Sequence, residues 1–354
     1  MYSYDQLYTF TKQVFQSIGS SEQDADLATE VLLSADLRGI DSHGIARLIG
    51  YVRLWETNRI NATPSVRVVH ETPSTAVVDG DSGLGLIVAP RAMDIAIEKA
   101  RVAGTGWVSV KNSNHFGIAG YHAMKALEND MIGIAMTNAS PLVAPTNSLE
   151  RLLGTNPIAV AIPANEQPAF VADFATTTAA NGKLEILQRK NQEAPLGWIQ
   201  DAKGHNSTNP NELKAGGALM PLGGETGSHK GYCLGSIVDI FSAVLSGANY
   251  GPWVPPFVSF LPLPTNPVGE GIGHFFGAMR IDAFRPANEF KAHMDNWITT
   301  FRQSKAKSEE TPVLIPGDPE RIMAVKRREE GIPLLDPVIK DLESLAQKFS
   351  LQFS

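Results

Sequence analysis

From about Ser74 the chain changes texture. Short β-rich runs, TAVVDG, GWVSV, IGIAMTN, PIAVAIP and AFVADF, follow one another with Gly, Asn and Pro between them, which is the pattern of strands joined by turns. Interleaved are a helical stretch from Pro90 to Ala103, closed by Gly104, and another around Tyr121 to Glu128, so the expected sheet is covered by helices. Both ends read differently. Leu7, Phe10, Val14, Phe15 and Ile18 recur at the helical period, and Ser21 with Asp24 offers a cap to a second helix carrying Ala28, Val31, Leu32 and Ala35. After the strand HFFGAMRIDAF comes an amphipathic helix with Phe290, Met294, Trp297, Ile298 and Phe301, then two more helices separated by Gly331-Ile332-Pro333. The expected fold is α/β: a mixed sheet domain covered by helices over 74–286, with helical parts at 1–73 and 287–354 that pack together as one discontinuous domain.

Two further stretches have a defined reading. The face Leu234, Ile237, Val238, Phe241, Val244, Leu245 and Ala248 predicts a buried helix from Lys230, central to the domain. The tract GANYGPWVPPFVSFLPLPTNPVGEG is too rich in Pro and Gly for a regular element, and its aromatic residues predict an ordered loop over a site or interface.

Length and charge narrow the function. A chain of 354 residues with 43% hydrophobic content can bury a substantial core. Its net charge of -7 offers no broad positive field, which argues against nucleic acid as a partner. A single cysteine, Cys233, excludes an intramolecular disulfide and a thiolate metal cluster. With no apolar run of membrane-spanning length and no leader-like N-terminus, a cytoplasmic protein without membrane attachment is expected.

The nearest approach to a dinucleotide fingerprint is Gly83-Leu84-Gly85, after a strand. It lacks the third glycine, since Val88 stands there, and Pro90 was expected to interpose before the helix. Neither a GxxxxGK[ST] loop nor an HExxH zinc helix occurs, so no metal site is expected.

Five clusters could carry chemistry. In DLRGIDSHGIARL, Ser42 could cap a helix placing His43 and Arg47 at i and i+4 on one face. A guanidinium fork holds a carboxylate, and an imidazole exchanges a proton with a neighbouring oxygen near neutrality. A surface helix in which the two pair with Asp36 or Asp41 fits the same spacing. In VKNSNHFGIAGYHA, His115 follows a strand amid Asn112, Asn114 and Gly117, as either a working group or a hydrogen-bonded structural histidine; His122 suits the second role better. Asn138, Ser140, Pro141, Asn147 and Asn156 supply amide and hydroxyl groups suited to a nicotinamide carboxamide or ribose, or to turns. ADFATTTAANGK ends a strand at Asp173 before small residues. GGETGSHKGYCLG puts Lys230 after a glycine loop at a helix start, a plausible diphosphate seat or a capped helix with a solvated lysine.

These clusters, in this order, resemble the malate/L-lactate dehydrogenase family that stands apart from the Rossmann-type enzymes and includes ureidoglycolate, diketogulonate, sulfolactate and cyclic imino-acid enzymes. The strings DSHGIARL, NSNHFGIAGYHA, TNASPLVAPTNSLERLLGTNPIAVAIPA, GSHKGY and FRPANEFK carry the resemblance, which spans nearly the whole chain. It implies a non-Rossmann NAD(P)-binding fold, a homodimer whose cofactor cleft the partner completes, and NAD as cofactor with NADP as the alternative. It further implies His43 as proton donor and acceptor, Arg47 as ligand of the substrate carboxylate, and His115 as the competing base. Ser140, Asp173-Phe174-Ala175 and Lys230 match cofactor positions, with Ala287-Asn288-Glu289 and Pro316-Gly317-Asp318 on the adenosine side. The expected reaction is hydride transfer between NAD(P)H and a 2-oxo acid, malate/oxaloacetate before lactate/pyruvate. Ureidoglycolate dehydrogenation or reduction of a keto sugar acid or cyclic imine on the same scaffold is the alternative, and an inert dimeric binding protein the distant one. The proline-rich loop from Trp253 to Pro264 departs from the family pattern.

Overall fold

The computed structural model describes residues 1–308 and 310–353. The chain opens with α1 (Tyr4–Ser17) and α2 (Glu22–Leu37). Ser3 and Gln6 cap α1 reciprocally, and the Ser21 hydroxyl accepts the Asp24 N–H at the head of α2. After α3 (Leu48–Glu56) come β1 (Arg67–Glu71), β2 (Thr75–Gly83), α4 (Gly85–Ala103), β3 (Thr105–Ser113), α5 (Ala119–Met124) and β4 (Met131–Thr137). Then follow β5 (Ile158–Ile162), β6 (Phe170–Phe174), α6 (Asn181–Lys190), the two-residue strands β7 (Ile199–Gln200), β8 (Asn206–Ser207) and β9 (Ala218–Leu219), and α7 (Gly224–Asp239). The chain closes with β10 (Ile272–Arg280), α8 (Ala287–Arg302), α9 (Asp318–Glu330) and α10 (Asp336–Phe349). All five strands expected after Ser74 form, and β1 adds one ahead of that point.

Seven strands make one mixed sheet in the order β1-β2-β3-β10-β4-β5-β6, and β8-β7-β9 form a small second one. Only β2 and β3 run parallel, with α4 as their crossover; every other neighbour in the large sheet is antiparallel. Alternate residues of β3 and β10 separate the two faces. Val108, Val110, Phe276 and Ala278 pack with α4 and α5, while Trp107 and Phe275 face the other way, where Phe241 covers them.

A second core holds the chain ends together: Leu7, Phe10 and Phe15 of α1 and Leu32 of α2 share a cluster with Ile332, Leu342 and Leu345. The tie is also made by main chain, because Tyr2 and Ile332 exchange both hydrogen bonds. Of the segments after residue 286, α9 and α10 return to the N-terminal helices. Helix α8 instead lies on the sheet, with Trp297 against Phe170 and Asp295 accepting from the N–H groups of Asn165 to Gln167.

Two expectations are corrected. Helix α4 starts at Gly85, and Pro90 lies inside it, removing the bond to the Leu86 carbonyl without ending the helix. The expected buried helix begins earlier, at Gly224, passes into a π turn (Ile240–Val244), and is buried on one side only: Val238 and Ala243 face inward, while Ile240, Phe241, Val244 and Leu245 are 41–58% exposed. The amphipathic signal marks two apolar faces, one of which none of the described residues covers.

Gly85 itself has a role the failed fingerprint concealed. A Cβ there would lie 2.1 Å from the Asn114 carbonyl oxygen and 2.5 Å from that of His115, so the head of α4 is pressed against the loop after β3. Both contacts are backbone and cannot swing aside. Gly85→Ala is therefore expected to lower stability by about 3 kcal/mol, at the upper end for overpacking, read as a drop in the chemical denaturation midpoint; an unchanged midpoint would show that the approach is looser than the structure has it.

Candidate active site

The segment 41–47 does not form the continuous helix that spacing predicted. It makes two single 3-10 turns, Asp41–His43 and Ile45–Arg47, separated at Gly44, before α3 begins. The cause is Asp36, buried at the end of α2. Its carboxylate accepts the Ile45 N–H at 2.7 Å, and a Cβ on Gly44 would lie 2.2 Å from its carboxyl carbon, so the chain bends tightly around the acid. Burial pushes the Asp36 carboxyl up to about 8, against the pull of the Ile45 N–H. Arg327 of α9 clamps the turn from outside by donating to the Asp36 carbonyl and the Asp41 carboxylate.

His43 and Arg47 thus stand near each other, though not on one helix face. The Ser42 hydroxyl sits 2.9 Å from His43 Nδ1, and the Ser42 carbonyl accepts from Arg47 Nε at 2.6 Å. That bond fixes the guanidinium while leaving its terminal nitrogens for a ligand, and no carboxylate pairs with it among the described residues. The reading in which Asp36 or Asp41 neutralises it is not what forms, since those two acids serve Ile45 and Arg327.

His115 arrives from the opposite side. The Asn114 amide donates to the Ser82 and Gly83 carbonyls, at 2.9 and 3.0 Å, and pins the loop to the end of β2. The His115 ring stacks toward His43 with centroids 5.6 Å apart and planes inclined by 24°. Its Nδ1 lies 2.7 Å from the Tyr51 hydroxyl and accepts the Gly117 N–H at 3.3 Å. A backbone N–H can only donate, so Nδ1 carries the lone pair, Tyr51 donates to it, and neutral His115 bears its proton on Nε2. Phe257, on the proline-rich loop, closes the group, 4.5 Å from His115 and 5.2 Å from Tyr51 between ring centroids, with the Arg47 guanidinium carbon 5.8 Å from its own.

Both imidazoles are held neutral. Burial, and then the Arg47 charge, lowers His43 to about 4; burial, His43 and Arg47 hold His115 well below its ordinary value. His122 is fully buried, with Nε2 on the Phe116 carbonyl at 2.8 Å, and packs as a structural group.

The remaining candidates divide. Asp173 and Phe174 line a cleft of about 360 Å³ together with Pro316 and Gly317, so residues 143 positions apart in the chain meet, while Ala175 follows outside the lining. Water reaches Asp173, yet the protein around it pushes its carboxyl up to about 6, opposed by the Gly120 N–H donating at 2.7 Å. Asp318 is engaged elsewhere, buried and bonded to Ile315 N–H, Arg302 and Arg321. Lys230 is exposed on the second turn of α7, not at its head. Ala287 lines a separate cavity with Arg280 and Asp130, Asn288 follows on the first turn of α8, and Glu289 pairs with Arg285. The Ser140 hydroxyl accepts from the Phe257 N–H and donates to the Pro255 carbonyl. Asn138 and Asn156 are consumed by backbone and Asp239.

Tyr51, Phe257, Asp36 and Arg327 were not singled out from sequence. Tyr51 had one signal, its place four residues after Arg47; Phe257 and Arg327 reach the site only through the tertiary fold.

Comparison with known proteins identifies the family. A profile described as malate/L-lactate dehydrogenase matches residues 2–343. A malate dehydrogenase of Pyrococcus abyssi is 42% identical over 98% of this chain and 94% of its own, and a malate/(S)-sulfolactate dehydrogenase of Methanothermus fervidus is 37% identical over 97% and 96%. The solved malate dehydrogenase of Pyrococcus horikoshii superposes with a TM-score of 0.89 at 39% identity, covering 99% of this chain and 96% of that one. No helix among the described residues is long and apolar enough to cross a membrane. With the fold, the length and the sequence all in agreement, the chain belongs to the malate/L-lactate dehydrogenase family.

Proposed function

We propose that this oxidoreductase interconverts a 2-hydroxy acid and its 2-oxo acid, malate and oxaloacetate before lactate and pyruvate, in the cytoplasm. One observation carries the reading: an Arg47 guanidinium whose terminal nitrogens no described residue engages stands close enough to two stacked imidazoles for its charge to act on both. The names of the relatives point to malate.

In this reading Arg47 holds the C1 carboxylate in its fork, which fixes C2 beside the histidines. His43, as a neutral base, takes the hydroxyl proton during oxidation and returns it during reduction. His115 presents Nε2–H toward the same oxygen, its ring held by Tyr51. The nicotinamide cofactor, when bound, supplies or accepts the hydride at C2. The cleft of Asp173, Phe174, Pro316 and Gly317 fits one end of it, with apolar walls and exposed backbone, and Ser140, Ala175, Lys230 and the head of α8 are assigned to the rest. We favour NAD over NADP because Asp173 and Glu320 both line that cleft, where an added phosphate dianion would meet like charge.

We assign the uncovered face of α7 and its π turn to a second copy of the chain, giving a homodimer. Contiguous exposed apolar residues of this kind mark association surfaces. Phe241→Asp with Val244→Asp is expected to yield a folded monomer in analytical ultracentrifugation; a double variant that keeps the native mass would move the interface elsewhere.

Activity is tested by following NADH and NADPH consumption with oxaloacetate, pyruvate, a keto sugar acid and a cyclic imine, and NAD+ reduction with ureidoglycolate. Arg47→Lys should cost about 1.5–3 kcal/mol in kcat/KM, the range for charge-assisted hydrogen bonds, and His43→Ala should cripple turnover. Unchanged kcat/KM in the first, or a near-normal rate in the second with His115→Ala inactive, would reassign the roles.

The pH dependence has a definite sign. A histidine lowered from 6.5 to about 4 is already unprotonated at neutral pH. Oxidative kcat/KM is therefore expected to stay level as pH falls through 6.5 and to drop only near about 4. A midpoint close to 6.5 would mean that the base is neither buried nor pressed by Arg47.

A further inference from the structure

Phe257 borders two of the groups assigned to the substrate, Arg47 and His115, and the Tyr51 that holds His115. Its ring touches His115 and Tyr51, and the Arg47 guanidinium lies over it. It is the one aromatic side chain among the described residues in contact with all three. The ring lies against α3 at Gly50, where a Cβ would stand 3.4 Å from it, an ordinary contact distance. The backbone beneath is fixed at several points: the Phe257 N–H donates to Ser140 Oγ, and Arg59 donates to the Val258 and Leu261 carbonyls at 3.2 and 2.6 Å. A loop this rich in proline, tied down on both sides of the ring, holds the side chain as a wall.

Behind that wall is space. A chamber of about 620 Å³ lies under the same loop, lined by Phe257 itself, Leu54, Trp253, Pro256, Leu263 and Asn114. Apolar surface from Leu54, Trp253, Leu263 and the prolines outweighs the polar groups of Arg59, Asn112 and Asn249 that also line it. With the C1 carboxylate on Arg47 and the C2 oxygen at the histidines, the Phe257 ring is a wall that the rest of a 2-oxo acid can meet, since it lies against both His115 and Arg47.

We propose that Phe257 is a specificity-determining residue: its ring closes the substrate pocket off from the chamber and so limits the length of the 2-oxo acid side chain. The proposal rests on the reading of Arg47 and the histidines given above. The chamber takes the apolar tail of a longer 2-oxo acid once the ring is cut back.

The test is a ratio. With NADH saturating, kcat/KM is measured for pyruvate and for 2-oxohexanoate in the wild type and in Phe257→Ala, Phe257→Leu and Phe257→Trp. The 2-oxohexanoate to pyruvate ratio should rise at least about tenfold in Phe257→Ala, as for a pocket that gains or loses a few methylenes, rise less in Phe257→Leu, and fall in Phe257→Trp. A purely structural ring would lower both substrates together and leave the ratio fixed, which overturns the proposal. Should Phe257→Ala fail to fold, the opposite movements of Leu and Trp decide by the same measure. A wild type that reduces no 2-oxo acid at all defeats the reading of the site and this inference with it, an outcome distinct from an unmoved ratio in active variants.

Discussion

One buried acid organises the site. Asp36 ends α2 inside the protein, where an unsatisfied carboxylate would be costly, and the chain answers by folding the next turn onto it. Ile45 donates its N–H, Gly44 lies against the carboxyl group, and the path of residues 41–47 follows from those two contacts. His43 and Arg47 are carried where that path takes them. Arg327 adds a clamp from α9, nearly the full length of the chain away, so the geometry of the N-terminal loop depends on the C-terminal helices being docked.

The two imidazoles share a property with mechanistic weight. Each is kept neutral by burial and by the Arg47 charge, and His43 acts on His115 in the same direction. In the proposed reading, a carboxylate settling on Arg47 would offset one of the forces that hold His43 down and make the imidazole a better proton acceptor. Tyr51 then orients the second ring, because a phenol that donates to Nδ1 leaves the proton on Nε2.

The strands were legible because β-branched runs between Gly, Asn and Pro have few other ways to fold, and the terminal helices because of their period and caps. His43, Arg47 and His115 were legible as residue types suited to a small carboxylic acid. What sequence could not show was how they meet. The i, i+4 argument presumed a helix where Asp36 enforces two 3-10 turns, and the failed fingerprint at Gly83-Leu84-Gly85 hid a glycine whose partner is the His115 loop. The α7 face was recognised as apolar, yet periodicity reports that a surface is to be covered and not by which chain. Asn138 and Asn156 looked like ligand groups and proved to be scaffold, since an amide serves either purpose equally well.

The place of β10 has a further consequence. This strand, residues 272–280, lies between β3 and β4, which are complete by residue 137. As the chain leaves the ribosome, β3 and β4 must therefore wait through more than a hundred residues of synthesis with their inner edges unpaired, open to any other extended segment. The sheet closes only when its middle arrives, and α9 follows to clamp the 41–47 turn through Arg327. The candidate site is thus the product of a late, long-range pairing.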